Sequence, residues 1–133
     1  MRGSWACPVQ GAVSFRDDFG EPRSGGRTHK GNDMFAATGT ALVAVTSGSV
    51  MFQGDPLGGL AAYVNGKDGN TYYYAHLHDY VGGARSVKAG ELIGHVGNSG
   101  NADGGPSHLH FEIRVGGPNG GAVDPYPTLA AHC

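Results

Sequence analysis

The sequence has little charge and no long apolar run, and each of these absences excludes a class of protein. Charged residues make up 15% of the 133 residues and the formal net charge is −2, so nothing indicates electrostatic binding to nucleic acid or to an anionic membrane. No apolar stretch approaches the ~20 residues of a membrane-spanning helix, and the start, Met1-Arg-Gly-Ser-Trp5, lacks the apolar centre of a signal peptide. We therefore expect a soluble domain with no membrane insertion.

Helical periodicity and internal repeats are also missing. The best helical candidate, residues 126–132, is short and contains Pro127, so at most a terminal turn is expected there. The lack of repeats and heptads excludes solenoid and coiled-coil scaffolds. The length fits a single domain over residues 1–133, of which residues 1–4 could be an expression scar.

Cysteine is scarce, with Cys7 and Cys133 near opposite ends of the chain. A bond between them would enclose nearly the whole domain and could add roughly 4 kcal/mol of stability. Spacing alone favours this pairing no more than it favours two separate thiols.

Glycine is plentiful, and its distribution favours an all-β fold. The 25 glycines and 7 prolines fall at short intervals between apolar runs, which is typical of turns between strands. Residues 40–46 and 48–53 predict one antiparallel hairpin, and residues 60–65 and 71–76 predict another around a turn at 66–70. Further strands are predicted at residues 11–15 and 108–115.

The predicted strand at residues 108–115 has one polar and one apolar face. Alternation places His108, His110, Glu112 and Arg114 on one face, while the apolar residues between them point to the other. The polar, glycine-rich segments 16–28 and 97–107 are predicted as loops that wall an open cleft.

Histidine and aspartate side chains supply a candidate zinc site. His29 and Asp33 lie four positions apart in a predicted loop, and with His110 they offer two imidazoles and one carboxylate, which leaves a coordination position open as in catalytic zinc sites. His76 and His108 are the candidates for proton transfer and for stabilising an oxyanion.

Plainer interpretations exist for several of these histidines. His76 could be a hydrogen-bonded histidine at a strand edge, and the His108/His110 pair could be a solvated stripe. Surface or supporting roles are expected for His78 and His95, and His132 is expected to be solvated.

Three tyrosines precede His76. Tyr72, Tyr73 and Tyr74 should alternate between the two faces of their strand, so at least one could line the cleft while the others pack in the core. The loop at residues 98–103 could donate hydrogen bonds to a peptide backbone, although any polar turn would have this composition.

Five blocks of the sequence follow one another in order: His29-Lys-Gly-Asn-Asp33, residues 34–50, Tyr74-Ala-His-Leu77, residues 90–100 and His108-Leu-His-Phe-Glu112. Together, over roughly residues 11–127, they resemble the lysostaphin-type zinc endopeptidases that cut peptide bonds in bacterial peptidoglycan.

This resemblance implies a compact antiparallel β domain with a groove across one sheet. It also implies one zinc ion held by His29, Asp33 and His110, with His76 and His108 as the catalytic histidines. The inactive members of this group lose metal ligands and activate other wall hydrolases. All five positions are filled in this sequence, so the resemblance favours an active member. The departures are Asn32, where an apolar residue is usual, and the additional histidines His78 and His95.

The function predicted from these features is zinc-dependent hydrolysis of peptide bonds in peptidoglycan cross-links or stem peptides by a monomeric, secreted or extracytoplasmic enzyme. Export would favour a disulfide between Cys7 and Cys133. The alternatives are a non-catalytic wall-binding or hydrolase-activating domain, which the intact ligand set disfavours, and a zinc amidase, which the ordered blocks disfavour.

Overall fold

The structure, a computed structural model, describes residues 5–102 and 104–133, so the suspected scar at residues 1–4 lies outside it. Within the described residues it contains ten strands, two 3-10 turns at Ser24–Gly26 and Gly100–Ala102, and one α-helix, α1, at Tyr126–His132. The strands are β1 Val9–Gln10, β2 Asn32–Phe35, β3 Ala41–Val43, β4 Gly48–Phe52, β5 Leu60–Gly66, β6 Thr71–Tyr80, β7 Arg85–Val87, β8 Leu92–Val96, β9 His108–Val115 and β10 Gly121–Val123.

These strands form a curled antiparallel sheet, which confirms the all-β prediction. The order along the sheet is β1-β3-β8-β6-β5-β4-β7, and β9 pairs with β6, β2 and β10. One edge of β6 changes its neighbour along its length, because residues 71–75 pair with β9 and residues from Leu77 onward pair with β8. The neighbouring strand therefore changes from β9 to β8 at His76.

The core lies on one face of the sheet. Met34, Tyr74, Leu109 and Phe111 are fully buried, and each such side chain contributes roughly 1.5–3 kcal/mol by leaving water. The hydroxyl of Tyr74 donates to the Val43 carbonyl at 2.8 Å and accepts from the Val45 amide at 3.0 Å, so its polar atom is satisfied inside the core.

Two strand predictions are wrong. Residues 11–15 form no strand: β1 ends at Gln10, and Ser14 makes only an isolated bridge to Phe35. The predicted hairpin of residues 40–46 and 48–53 does not form either, because β3 pairs with β1 and β8 whereas β4 pairs with β5 and β7. The backbone of Ala44 instead bonds to Glu91 and Gly90.

The second predicted hairpin is confirmed as β5 and β6, with β6 extending to Tyr80. The helical prediction needs correction, since α1 is a seven-residue helix rather than a single turn. Pro127 lies in its first turn, where a missing N–H costs no hydrogen bond, and Leu129 anchors the helix in the core. No helix in the described part of the chain is long and apolar enough to cross a membrane.

The two ends of the described chain meet at the cysteines. Cys7 and Cys133 face each other with their Cα atoms 5.1 Å apart, a separation typical of a disulfide. Trp5 packs beside them against His132, with ring centroids 4.9 Å apart. Of the two alternatives left open by spacing, this geometry supports the pairing.

Candidate metal centre and groove

Strand register brings the three predicted metal ligands together. Asp33 on β2 is the cross-strand partner of His110 on β9. His29 lies in the loop just before β2, and the chain there runs so close to β9 that a Cβ atom on Gly31 would lie 2.2 Å from the Phe111 carbonyl oxygen. Glycine at this position therefore lets the loop place His29 above the Asp33–His110 pair.

The ligand atoms are spaced as a metal requires. His29 Nε2 lies 3.0 Å from Asp33 Oδ1 and 3.0 Å from His110 Nδ1. The Asp33 oxygen and the His110 nitrogen are 3.2 Å apart. Tetrahedral zinc with bonds of about 2.0–2.1 Å separates its ligand atoms by about 3.3–3.4 Å. Two imidazoles and a carboxylate at this spacing fit a zinc ion with only small adjustments.

Each imidazole is oriented by a partner on its far side. His29 Nδ1 lies 3.0 Å from the backbone carbonyl of Asp18, and His110 Nε2 lies 2.7 Å from Glu112 Oε2. These contacts leave Nε2 of His29 and Nδ1 of His110 to face the candidate metal position. Such outer partners fix the ring orientation of metal-binding histidines.

The charges of Asp33 and His110 stabilise each other. Burial would raise the pKa of the Asp33 carboxyl, but hydrogen bonds with His110 and His29 hold it well below its ordinary range. Burial likewise disfavours a charged His110, yet its hydrogen bonds to Asp33 and Glu112 outweigh that effect and raise its pKa to about 9. A proton on His110 therefore competes with a metal ion at neutral pH.

His76 reaches the same face through a β-bulge. Tyr74 pairs with Ala62 and Leu77 with Leu60, so β6 carries one extra residue there. His76 has a positive φ of 67°, and its amide donates to the Gly58 carbonyl at 2.7 Å. A non-glycine residue in this backbone region carries strain, which a bulge at a functional site often accommodates.

His76 and His108 lie side by side at the candidate metal centre. Their ring centroids are 4.8 Å apart, and His108 Nε2 is 3.7 Å from Asp33 Oδ1. Nδ1 of His76 lies 2.7 Å from the Ser99 carbonyl and Nδ1 of His108 lies 3.1 Å from the Pro106 carbonyl. A proton on each Nδ1 leaves each Nε2 as the acceptor.

Burial also keeps His76 uncharged. It lowers the pKa of His76 to about 4, although the hydrogen bond to Ser99 opposes this effect. His76 is therefore a neutral imidazole near pH 7, which is the form that accepts a proton.

The five histidine and aspartate side chains line an open groove of about 260 Å³. Both predicted wall segments contribute to it, residues 16–28 through Arg23 and residues 97–107 through Ala102. Leu57 and Gly58 form a further wall that the sequence did not indicate. Of the three tyrosines, Tyr73 lines the groove, while Tyr72 and Tyr74 belong to the core.

The additional histidines His78 and His95 do not line the groove. His78 is exposed to solvent. His95 Nδ1 lies 2.8 Å from Asp79 Oδ1, outside the groove. In the 98–103 loop Ser99 contacts His76, while Asp103 lies outside the described residues. A substrate-binding role for this loop stays a prediction.

Two buried carboxylates behind the ligands were not assigned from sequence. Glu112 shares the polar face of β9 with His110, so the period-two pattern contained a signal for it. Asp18, eleven positions before His29, has no local pattern that could have revealed it.

Comparisons with known proteins agree with this fold. The model of Peptidase family M23 matches residues 27–125, and the chain belongs to that family. Its structure is similar to the catalytic domain of the antimicrobial peptidase lysostaphin from Staphylococcus simulans, with a TM-score of 0.78 and 33% identity over 89% of this chain and 92% of that domain. The resemblance to lysostaphin-type enzymes is thereby confirmed.

Two curated relatives differ in their described roles. DD-carboxypeptidase/endopeptidase Mpg from Neisseria meningitidis is 37% identical over 74% of this chain. Murein hydrolase activator NlpD from Escherichia coli is 32% identical over 86% of it. The matched region spans only 22% of Mpg and 29% of NlpD.

Proposed function

We propose that this chain is a zinc-dependent endopeptidase that hydrolyses peptide bonds in the cross-links or stem peptides of bacterial peptidoglycan. The observation that carries the proposal is the convergence of His29 Nε2, Asp33 Oδ1 and His110 Nδ1 within 3.2 Å of one another, beside His76 and His108 in one groove. Membership of a peptidase family supports the same reaction class.

His29, Asp33 and His110 would hold the ion. When bound, zinc supplies Lewis acidity toward the scissile carbonyl and toward a water molecule. Both imidazoles would bind as neutral ligands, since their far nitrogens are directed at Asp18 and Glu112.

His76 and His108 would share the proton transfer and the stabilisation of charge. One would accept a proton from water through Nε2, and the other, when it carries a proton on both nitrogens, would donate an Nε2–H hydrogen bond to the developing oxyanion. His76 suits the acceptor role because burial keeps it neutral near pH 7.

The groove suits an extended peptide with small side chains. Gly58, Ala75 and Ala102 are among the residues that line it, and their small size leaves room beside the candidate metal position. A monomer consisting of one domain over residues 1–133 would be sufficient for this activity. Its substrate lies outside the cytoplasmic membrane, so we also propose an extracytoplasmic location and a Cys7–Cys133 disulfide there.

The alternative is an activator without catalysis of its own, which the similarity to NlpD favours. The complete set of two histidines and one aspartate argues for the enzyme, because a peptide-binding groove has no need of three converging ligand atoms.

The test is mass spectrometry of fragments released from defined peptidoglycans, one set with glycine bridges and one with direct stem-peptide cross-links. The enzyme should generate new amino and carboxyl termini within the peptides, and a chelator should abolish them. An amidase would instead separate intact stem peptides from the sugar. An activator would release nothing until another wall hydrolase was added.

A further inference from the structure

Asp18 is buried behind the candidate metal centre, on a loop rather than on the sheet. It is 5% exposed, although Asp17 beside it is exposed to solvent. A buried carboxylate is stable only where hydrogen bonds replace its water, so its partners indicate what it does.

One group of contacts reaches His29. The backbone carbonyl of Asp18 lies 3.0 Å from His29 Nδ1, and its carboxylate Oδ1 lies 3.4 Å from the same atom. His29 Nε2 points the other way, toward Asp33 and His110. Asp18 therefore holds the proton on Nδ1 and leaves the Nε2 lone pair directed at the metal position.

A second group of contacts reaches β2. Asp18 Oδ1 accepts a hydrogen bond from Asn32 Nδ2 at 2.8 Å and one from the Asp33 backbone amide at 3.3 Å. Asn32 is fully buried, and its amide group also donates to the Arg16 carbonyl at 2.6 Å. The polar Asn32 thus supplies the donor that allows a carboxylate to be buried at this point.

Arg23 extends the same connection to Asp33. Its Nη2 lies 3.7 Å from Asp18 Oδ2 and 3.4 Å from Asp33 Oδ2, the oxygen that does not face the histidines. The groove-wall loop is consequently tied to two of the three candidate ligands through Asp18 and Arg23.

We propose that Asp18 is a positioning residue that fixes the Nδ1-protonated tautomer of His29 and locks this ligand to the strand that carries Asp33. The inference rests on the proposed zinc site. Loss of the carboxylate removes both β2 contacts, so the loop is released and the backbone carbonyl no longer stays aligned with His29.

The experiment measures zinc affinity of the purified full chain by competition with a chromogenic chelator, without using activity. Loss of an outer partner of a metal-binding histidine typically weakens metal binding about 10- to 100-fold, and we expect that range for Asp18→Ala. Asp18→Asn retains the shape and should show a smaller loss. Asp17→Ala is the matched control, one position away, and should bind zinc like the unmodified chain.

A second readout separates positioning from general stability. Long-range ¹H–¹⁵N spectra should show Nδ1-protonated His29 in the unmodified chain and in Asp17→Ala, and a mixture of tautomers in Asp18→Asn. If Asp18→Ala is unfolded without zinc, the affinity and tautomer of Asp18→Asn decide the matter. Unchanged affinity and tautomer in the folded Asp18 variant would overturn the inference.

The outcome is independent of the proposed reaction. Tight zinc binding that depends on Asp18, in a chain that cuts no peptide, would uphold the inference and reject the endopeptidase. Peptide cleavage with Asp18 variants that bind zinc normally would do the opposite.

Discussion

Tyr74 and His76 lie two positions apart on β6, yet their side chains lie on opposite faces of the sheet. Tyr74 is fully buried in the core, whereas His76 lines the groove. Strict alternation would have directed both into the core. The bulge between Tyr74 and Leu77 reverses the orientation of His76 at the point where the neighbouring strand changes from β9 to β8.

His76→Ala and His108→Ala should retain zinc and fold but lose at least ~100-fold in turnover, the usual contribution of a positioned acid or base. His78→Ala and His95→Ala are the controls and should have much milder effects, because neither side chain lines the groove. Turnover is measured on a defined peptidoglycan fragment, with zinc content determined in parallel. A His78→Ala variant without activity beside an active His76→Ala variant would contradict the assignment.

The stability of the zinc-free chain should depend on pH through His76. Its folded-state pKa of about 4 lies below the ordinary value of 6.5, so the unfolded chain binds the proton first as the pH falls. The contribution of neutral His76 is fully present above pH 6.5 and is lost between there and about pH 4. Urea unfolding of the unmodified chain and His76→Gln at pH 7.5 and 5 measures this. Acidification should lower the free energy of unfolding of the unmodified chain relative to that of the variant, because the opposite contribution of His110, whose pKa is raised to about 9, is common to both proteins.

Zinc affinity should fall as the pH falls, because His110 must lose its proton to bind the ion. With a pKa of about 9 in the zinc-free chain, His110 should release about one proton when zinc binds at pH 7. Calorimetry in buffers of different ionisation enthalpy counts that proton.

Zinc content after purification should be about one ion per chain. His29→Ala, Asp33→Ala and His110→Ala should each reduce it sharply, since each removes one of three protein ligands. Full zinc content in the triple variant would exclude this site.

Gly100→Ala should impair catalysis without removing a catalytic group. A Cβ atom at Gly100 would lie 2.3 Å from the Gly59 amide nitrogen, so it would push apart the two loops whose carbonyls bond to His76. We expect a loss of roughly 10- to 100-fold in turnover, as small misplacements at a reacting centre often cause. Gly104→Ala has a comparable positive φ but nothing within 4 Å, so it controls for backbone strain. Equal effects of the two substitutions would contradict the prediction.

The Cys7–Cys133 bond should lower the unreduced mass by about two units and raise the melting temperature. Enclosing a loop of this length lowers the entropy of the unfolded chain and so raises its free energy, by roughly 4 to 5 kcal/mol in the chain-entropy model. Reduction should leave zinc in place, since neither sulfur is a predicted ligand. Two freely alkylated thiols in the native protein would refute the pairing.

The sequence predicted the parts of the site that depend on local periodicity. His108 and His110 share a face because β9 is regular, and the glycine-rich segments became groove walls because turns stay on the surface. The β5–β6 hairpin was also predictable, since its strands are neighbours in sequence.

Long-range contacts explain what the sequence did not predict. The expected hairpin of residues 40–46 and 48–53 was replaced by pairings with distant strands, because Tyr74 and residues 90–91 occupy the backbone groups after β3. The bulge at His76 depends on a bond to Gly58, and the burial of Asp18 depends on Asn32. None of these partners is visible in a local pattern.

The cross-strand pairing of Asp33 with His110 joins positions 77 residues apart in the chain. An ion bound there would link β2 to β9, and its binding free energy would add to the free energy of unfolding. A zinc-free chain would then lack activity and would also be cleaved more readily by proteases in its surroundings. The lifetime of the protein would follow the supply of metal in its surroundings.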